Sequence, residues 1–241
     1  MIGAFFDIDG TLYRNSLLIE NFKKLIKYEI IDEMVWLDRV RKPFQEWAIR
    51  KGDYENYLED VAAAYKDAMI GLDFRTVEFL AEQTIEQNWE KTYVYTRDRI
   101  NEHLKSGHKV AFISGSPDFL VAKMADHYKV DDFMASHYVF DLDDRFTGEV
   151  RPMWDALNKR KAIHRFVEQY DIDLTQSYAY GDTLGDLTML EMVGNPIAFN
   201  PNRNLFHKIQ HDEELRERVH IVVERKDMVY RIDPLNYKVE F

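Results

Sequence analysis

Four short stretches hold residue types that can do chemistry: Asp7-Ile-Asp9-Gly-Thr11, Ser114-Gly-Ser116, a lysine opening a helix (Lys159), and Gly181-Asp-Thr-Leu-Gly-Asp186. Asp7 and Asp9 close the apolar run of Ile2, Ala4, Phe5, Phe6 and Ile8. On a strand rising roughly 3.3 Å per residue their Cα atoms stand about 7 Å apart. Like charges placed so closely repel each other and resist burial, so a positive partner is required. Asp182 and Asp186 add further carboxylates. Such a set makes a hard-oxygen site suited to Mg²⁺, which takes carboxylates and keeps water and substrate phosphate in its shell. The cation in turn lowers the cost of gathering the acids.

The same residues suit phosphoryl transfer. A carboxylate nucleophile can form an aspartyl-phosphate and divide one hard displacement into two easier ones. The Ser114 hydroxyl, the Gly115 N–H and the Lys159 ammonium can meet the phosphoryl oxygens, where electrostatic stabilisation does most of the work. A second carboxyl can donate a proton to the leaving alcohol and later activate water.

These residues need a frame that brings them to one place. Ile2 to Ile8 reads as a buried strand of a parallel sheet, broken by Gly10. Residues from about Leu17 to Trp89 follow a helical period and hold three of the four tryptophans. From Thr96 onward helices alternate with strands: His108–Ile113, Met134–Phe140, Ser177–Tyr180, Pro196–Phe199 and Val219–Val223. Asp144–Glu149 reads as a turn or hairpin. This pattern predicts an α/β fold, a doubly wound, mostly parallel, Rossmann-like sheet with a small inserted helical cap. The expected boundaries are 1–14 and 91–241 for the core and 15–90 for the cap. In such sheets the reactive site lies outside the carboxyl ends of the strands, where Asp7, Ser114 and Asp182 fall.

Composition sets the outer limits. The chain has 241 residues, 46% of them hydrophobic, which is enough for a large core. Cysteine is absent, so disulfides, thiolate metal sites and thiol catalysis are excluded together. A net charge of −11 argues against nucleic acid as a partner. No apolar run reaches the 18 or more residues of a membrane span, and the N-terminus reads as a first strand rather than a signal peptide. The expectation is a cytoplasmic protein with no membrane partner.

The four stretches, in this order, resemble the motifs of the haloacid dehalogenase superfamily of aspartate-nucleophile phosphatases. Ser177-Tyr-Ala-Tyr-Gly-Asp-Thr-Leu-Gly-Asp-Leu-Thr-Met-Leu190 resembles the phosphoserine-phosphatase-like branch. The resemblance implies a Mg²⁺-dependent phosphomonoesterase acting on a small phosphorylated metabolite. It makes Asp7 the nucleophile and a metal ligand, and Asp9 the general acid/base with its backbone carbonyl on the metal. Thr11 orients the loop, Ser114, Gly115 and Lys159 bind the phosphoryl group, Asp182 binds the metal, and Asp186 binds the metal or its waters. Lys161 is the rival to Lys159. Phosphoserine phosphatases usually have glutamate nine residues after the nucleophile; Ser16 stands there, and Gly185 replaces a common asparagine. The substrate is therefore left open, with Ser16, Phe44 and Arg50 as positions that face it. Phosphotransferase or phosphomutase activity, or a non-enzymatic receiver-type phosphoacceptor, are the alternatives.

Other features read more plainly. Ser116 is expected to cap the helix that follows Pro117. The Tyr and Trp stripe of the insert reads as cap core. His207 and His211, four apart on a helix, read as surface residues.

Overall fold

The computed structural model describes residues 1–52, 54–154 and 156–235. The chain runs through β1 (Gly3–Phe6) and five helices: α1 (Leu17–Lys27), α2 (Glu33–Arg39), α3 (Arg41–Ala48), α4 (Tyr54–Met69) and α5 (Phe74–Asn88). Then come α6 (Val94–Lys105), β2 (Lys109–Pro117), α7 (Asp118–Tyr128), β3 (Asp132–Phe140), β4 (Phe146–Arg151) and α8 (Ala156–Tyr170). The remainder is β5 (Tyr178–Gly181), a single 3₁₀ turn (Leu184–Asp186), α9 (Leu187–Met192), β6 (Asn195–Phe199), α10 (Arg203–His211), α11 (Glu213–Arg218), β7 (His220–Arg225) and β8 (Met228–Ile232). Among the described residues, no helix is long and apolar enough to cross a membrane.

The chain divides into two compact units. The first holds Met1–Ser16, Trp89–Ser136 and the described residues from Pro152 onward. Its strands lie in the order β3-β2-β1-β5-β6-β7-β8, parallel except for β8. Every residue of β1 is buried, which is why its sequence is unbroken Gly-Ala-Phe-Phe. Phe5 packs on one face with Ile113, Phe166 and Met189. Phe6 stacks on Tyr180 on the other, ring centroids 4.1 Å apart. From β1 the chain builds outward to β2 and β3, then returns to β5 on the opposite flank of β1. That reversal of winding opens a crevice outside the carboxyl ends of β1 and β5, the usual ligand position in open α/β sheets.

The second unit holds Leu17–Asn88 and His137–Arg151. The helices were expected within 15–90, but β4 and the end of β3, which pair antiparallel at the edge of the sheet, group in the same compact unit as the helices. Their aromatic residues explain this: Tyr138 meets Tyr65 at 6.1 Å and Phe140 meets Phe74 at 5.1 Å between ring centroids. Backbone bonds add to it, from Gly71 N to Phe146 O and from Phe74 N to Asp144 O. The unit's centre is Phe22, Val61, Tyr65 and Met69, with the Tyr65 hydroxyl donating to buried Asn21 and Asn21 donating to Thr84. The aromatic stripe only partly forms this core. Tyr57 and Tyr65 are buried, whereas α2 and α3 bury no residue and leave Trp36 and Trp47 half-exposed.

Candidate active site

Asp7 is the residue after β1, and its N–H donates to Tyr180 O at 3.0 Å, extending the pairing with β5 to the end of the strand. Asp182 follows β5. The two strands therefore deliver one carboxylate each to the crevice at the winding reversal. Asp186 comes from the turn after β5, and one carboxylate oxygen from each of Asp7, Asp182 and Asp186 lies within 4.8 Å of the other two, buried.

The turn Gly181–Asp186 is built around Asp186. Its Oδ2 accepts from the Asp182 N–H, the Thr183 N–H and the Thr183 hydroxyl at 3.1, 3.0 and 3.1 Å. Thr183 and Asp186 form a reciprocal capping box at the start of the 3₁₀ turn. Gly181 is required for this closeness: a Cβ there would stand 2.3 Å from the Asp186 Cβ. Gly10 holds the opposite wall at φ +86°, where a Cβ would meet Asp182 Oδ2 at 2.2 Å. The Thr11 hydroxyl donates to Asp182 Oδ1 at 3.1 Å. Thr11 thus steadies a carboxylate of the cluster, which refines its expected part in orienting the loop.

Lys159, on the first turns of α8, is buried and reaches Asp7 Oδ1 at 3.1 Å and Asp186 Oδ1 at 2.5 Å. Lys161, its rival in the sequence, is exposed. Burial pushes the Lys159 ammonium down, but Asp186 and Asp7 beside it more than offset this and hold its pKa above the ordinary lysine value. Burial raises the Asp7 carboxyl well above the ordinary range, Lys159 pulls it back, and Asp186 and Asp9 push it up again. Burial likewise raises Asp182, reinforced by Asp186 and Asp7. With all of them ionised, three carboxylates and one ammonium would leave two negative charges in a buried pocket. A divalent cation would neutralise them. Both oxygens of Asp186 already have partners, so Asp7 and Asp182 have the oxygens that suit a metal best.

Asp9 stands apart from the carboxylate cluster. Its Oδ2 accepts from the Ser116 hydroxyl at 2.5 Å. Ser116 therefore does not cap α7, whose N-cap residue is Pro117, with no side-chain bond. Ser114 is fully buried, and its Oγ accepts from the Ser116 N–H at 3.1 Å. Gly115 lies between them, its carbonyl taking the Ser136 hydroxyl at 2.7 Å. The pairing of β2 with β3 shifts register between Ile113 and Pro117, so these three residues sit in an irregular strand end. Bulged ends of this kind often aim side chains beside active sites. Ser116 and Thr183 are the supporting residues that the sequence did not reveal. For Thr183 a signal existed, the Thr-x-x-Asp spacing of a capping box.

Ser16 is buried at the end of the first segment of this unit. Phe44 and Arg50 belong to the helical unit. Phe44 is 40% exposed, its ring 5.8 Å from those of Trp47 and Tyr57, and Arg50 has φ +62° just beyond α3. His207 and His211 are exposed, as expected, the latter's Nδ1 lying 2.7 Å from the His207 carbonyl.

Comparison with known proteins agrees with this geometry. The profile of the haloacid dehalogenase-like hydrolases matches residues 4–191, and a second profile of the same description matches residues 152–233. The chain is 28% identical over 204 residues to the inhibition of morphological differentiation protein of Streptomyces azureus, covering 84% of this chain and 73% of that one. It is 25% identical over 209 residues to phosphoserine phosphatase SerB1 of Mycobacterium tuberculosis, covering 84% and 66%. A substrate-bound phosphoserine phosphatase shares the fold, with a TM-score of 0.60 at 21% identity and 94% of each chain covered. The chain belongs to the haloacid dehalogenase-like hydrolases.

Proposed function

We propose that this phosphatase hydrolyses a small phosphorylated metabolite with Mg²⁺, by way of an aspartyl-phosphate on Asp7. The observation that carries the reading is the buried cluster of Asp7, Asp182 and Asp186 around one lysine, at the carboxyl ends of β1 and β5. Asp7 and Asp182 would hold the ion, with the Asp9 backbone carbonyl and Asp186 or its waters completing the site. Bound there, Mg²⁺ would supply charge neutralisation for the phosphoryl oxygens.

Asp7 attacks phosphorus, and the bond to the leaving oxygen breaks as the new one forms. Asp9 gives its proton to that oxygen, releases the alcohol and then takes a proton from the water that cleaves the acyl phosphate. Ser114, the Gly115 N–H and Lys159 hold the transferring group, whose negative charge replaces part of what Lys159 now receives from Asp7. Ser116 keeps Asp9 aimed. Choice of substrate is assigned to Ser16, Phe44 and Arg50. Phosphoserine is acted on by several relatives, as their names state, and is one candidate here.

The test is a panel of phosphorylated metabolites, including phosphoserine and phosphocholine, assayed with Mg²⁺ and with a chelator. Phosphate release should need the metal and disappear in Asp7→Asn. Substantial turnover by that variant would reject Asp7 as nucleophile.

A further inference from the structure

Trp154, in the segment that leads into α8 and Lys159, touches two loops of the site at once. A Cβ built on Gly115 would stand 3.1 Å from the Trp154 Cβ and 4.0 Å from Cε3 of its indole. A Cβ built on Gly185 would stand 2.9 Å from the Trp154 carbonyl oxygen, a backbone atom that cannot swing aside. Gly115 and Gly185 are therefore small for a shared reason: Trp154 takes the space a side chain would use. A larger residue at 185, asparagine included, would have to displace it.

The segment around Trp154 is fastened on both sides. The Met153 N–H donates to the Ser136 hydroxyl at 3.1 Å, and that hydroxyl donates to the Gly115 carbonyl at 2.7 Å. The Pro152 carbonyl accepts from the Asn158 amide at 2.9 Å. Met153 is buried, and all of these residues belong to the unit that holds the carboxylate cluster. The indole itself is not buried. It is 49% exposed and makes no ring contact or hydrogen bond among the described residues. Leu184, the residue before Gly185, is exposed as well. A lone tryptophan on a surface is ordinary. One whose backbone is pinned between two loops of a reactive site presents its ring at a fixed place beside that site.

That place has a chemical meaning. The Gly115 N–H is assigned to the transferring phosphoryl group, and an oxygen bonded to it stands about 2.9 Å from the nitrogen. The nitrogen is one covalent bond from the Cα against which Trp154 packs. The alcohol carried by that phosphoryl group therefore departs within reach of the ring. At Ser16 stands a hydroxyl and not a carboxylate, so that position does not select for a substrate ammonium.

We propose that Trp154 is a specificity-determining residue, in addition to those of the helical unit, and that its indole receives the flat apolar ring of an aryl or arylmethyl phosphomonoester. The inference rests on the phosphatase reading above and names the class of substrate. Aromatic rings in offset or edge contact attract each other beyond what buried area alone provides, and a ring already held in place loses little freedom on contact.

Benzyl phosphate and ethyl phosphate test this, because their alcohols are of similar acidity and leave with similar ease. With Mg²⁺ the wild type should favour the benzyl ester in kcat/KM by at least about tenfold. Trp154→Ala should lose about that factor on the benzyl ester and less than about twofold on the ethyl ester, while Trp154→Phe keeps most of the benzyl rate. Benzylphosphonate, which is not hydrolysed, supplies a reading without turnover. In calorimetry with Mg²⁺ it should bind the wild type about tenfold more tightly than Trp154→Ala, and inorganic phosphate should displace it. If the wild type turns over both esters and Trp154→Ala changes both rates equally or neither, Trp154 does not choose the substrate, and the phosphatase reading stands without it. Equal phosphonate affinity in wild type and Trp154→Ala, or binding that phosphate does not displace, would also overturn the proposal. Failure to hydrolyse either ester or to bind the phosphonate would do the same, and it would remove the phosphatase reading too only if the metabolite panel also showed no turnover.

Discussion

The Ser116 hydroxyl donates to Asp9 Oδ2 at 2.5 Å. A hydrogen bond to an ionised carboxylate is worth about 1.5–3 kcal/mol, enough to fix the rotamer of the group proposed to pass protons to and from the leaving oxygen. Ser116→Ala should therefore lower kcat roughly tenfold while leaving KM and the melting temperature almost unchanged. Ser116→Thr should restore most of the rate. A serine that acted only as a helix cap would show the reverse, a change in melting with little change in kcat.

Gly10 makes the wall that Asp182 leans on. At φ +86° an alanine is strained, and its Cβ would stand 2.2 Å from Asp182 Oδ2. Gly10→Ala should fold but displace that carboxylate. Mg²⁺-dependent activity should fall by about two orders of magnitude, and the ion concentration for half-maximal rate should rise. Near-normal metal dependence would mean that Asp182 is not held against this turn.

Much of the site was legible because each of its charged residues stands at a recognisable break: Asp7 ends an apolar run, Asp182 follows Ser177–Gly181, and Lys159 opens an amphipathic helix. Parallel strands separated by helices deliver such ends to one edge whatever lies between. Ser116 was hidden because Ser-Pro before a helix is also a capping pattern, and local spacing cannot show a carboxylate 107 residues away. β8 was hidden too. Met228–Ile232 is mostly exposed with no apolar alternation, and the turn before it puts Lys226 at φ +57° where glycine or asparagine would have marked a hairpin. The assignment of 137–151 to the helical unit depends on which side Tyr138, Phe140 and Phe146 pack, and periodicity carries no such information.

Lys159 and Lys161 can be separated by a pair of variants. Lys159→Met removes the cation bonded to two buried carboxylates, Asp7 and Asp186, and breaking a buried pair from one side costs about 3–5 kcal/mol. It should lower stability by that order in chelator, recover part of it in Mg²⁺, and lose at least about a hundredfold in kcat. Exposed Lys161→Ala should move stability by less than about 0.5 kcal/mol. Comparable losses in the two variants would contradict the geometry.

Without metal, Asp182 should be a liability whose size depends on pH. Its carboxyl is raised in the folded protein by burial and by Asp186 and Asp7, so the folded state holds that proton more tightly than the unfolded chain does. The stability this confers is present below the ordinary value of 3.8 and is lost as pH rises through the raised folded value. Asp182→Asn keeps an oxygen for the Thr11 hydroxyl and removes the charge. In chelator it should be more stable than wild type near pH 7–8, by about 1–4 kcal/mol, with the gain vanishing below about pH 4. Added Mg²⁺ should stabilise the wild type and not the variant. Denaturant titrations at several pH values measure both effects. A variant less stable than wild type in chelator at neutral pH would show that Asp182 is not destabilised there.

His103 gives a pH dependence of the opposite sign, away from the carboxylates. It is 6% exposed, its Nε2 lies 2.9 Å from the Tyr180 hydroxyl and its Nδ1 lies 2.8 Å from His108 Nδ1. Burial, with His108 and Arg99 adding to it, pushes its pKa down from 6.5 to about 4. The folded state therefore holds fewer protons than the unfolded chain between those values. The resulting stability is full above about pH 6.5 and is lost as pH falls toward 4, with a ceiling of about 3 kcal/mol. His103→Gln removes the titrating group, so the wild type should lose up to that much more stability than the variant as pH falls from 7 to 4. The ring itself should stay neutral at pH 5.5 by heteronuclear NMR. If its signals instead titrate with a midpoint near 6.5, the ring is solvated or its hydrogen bonds are not formed, and the two stability curves should then run parallel.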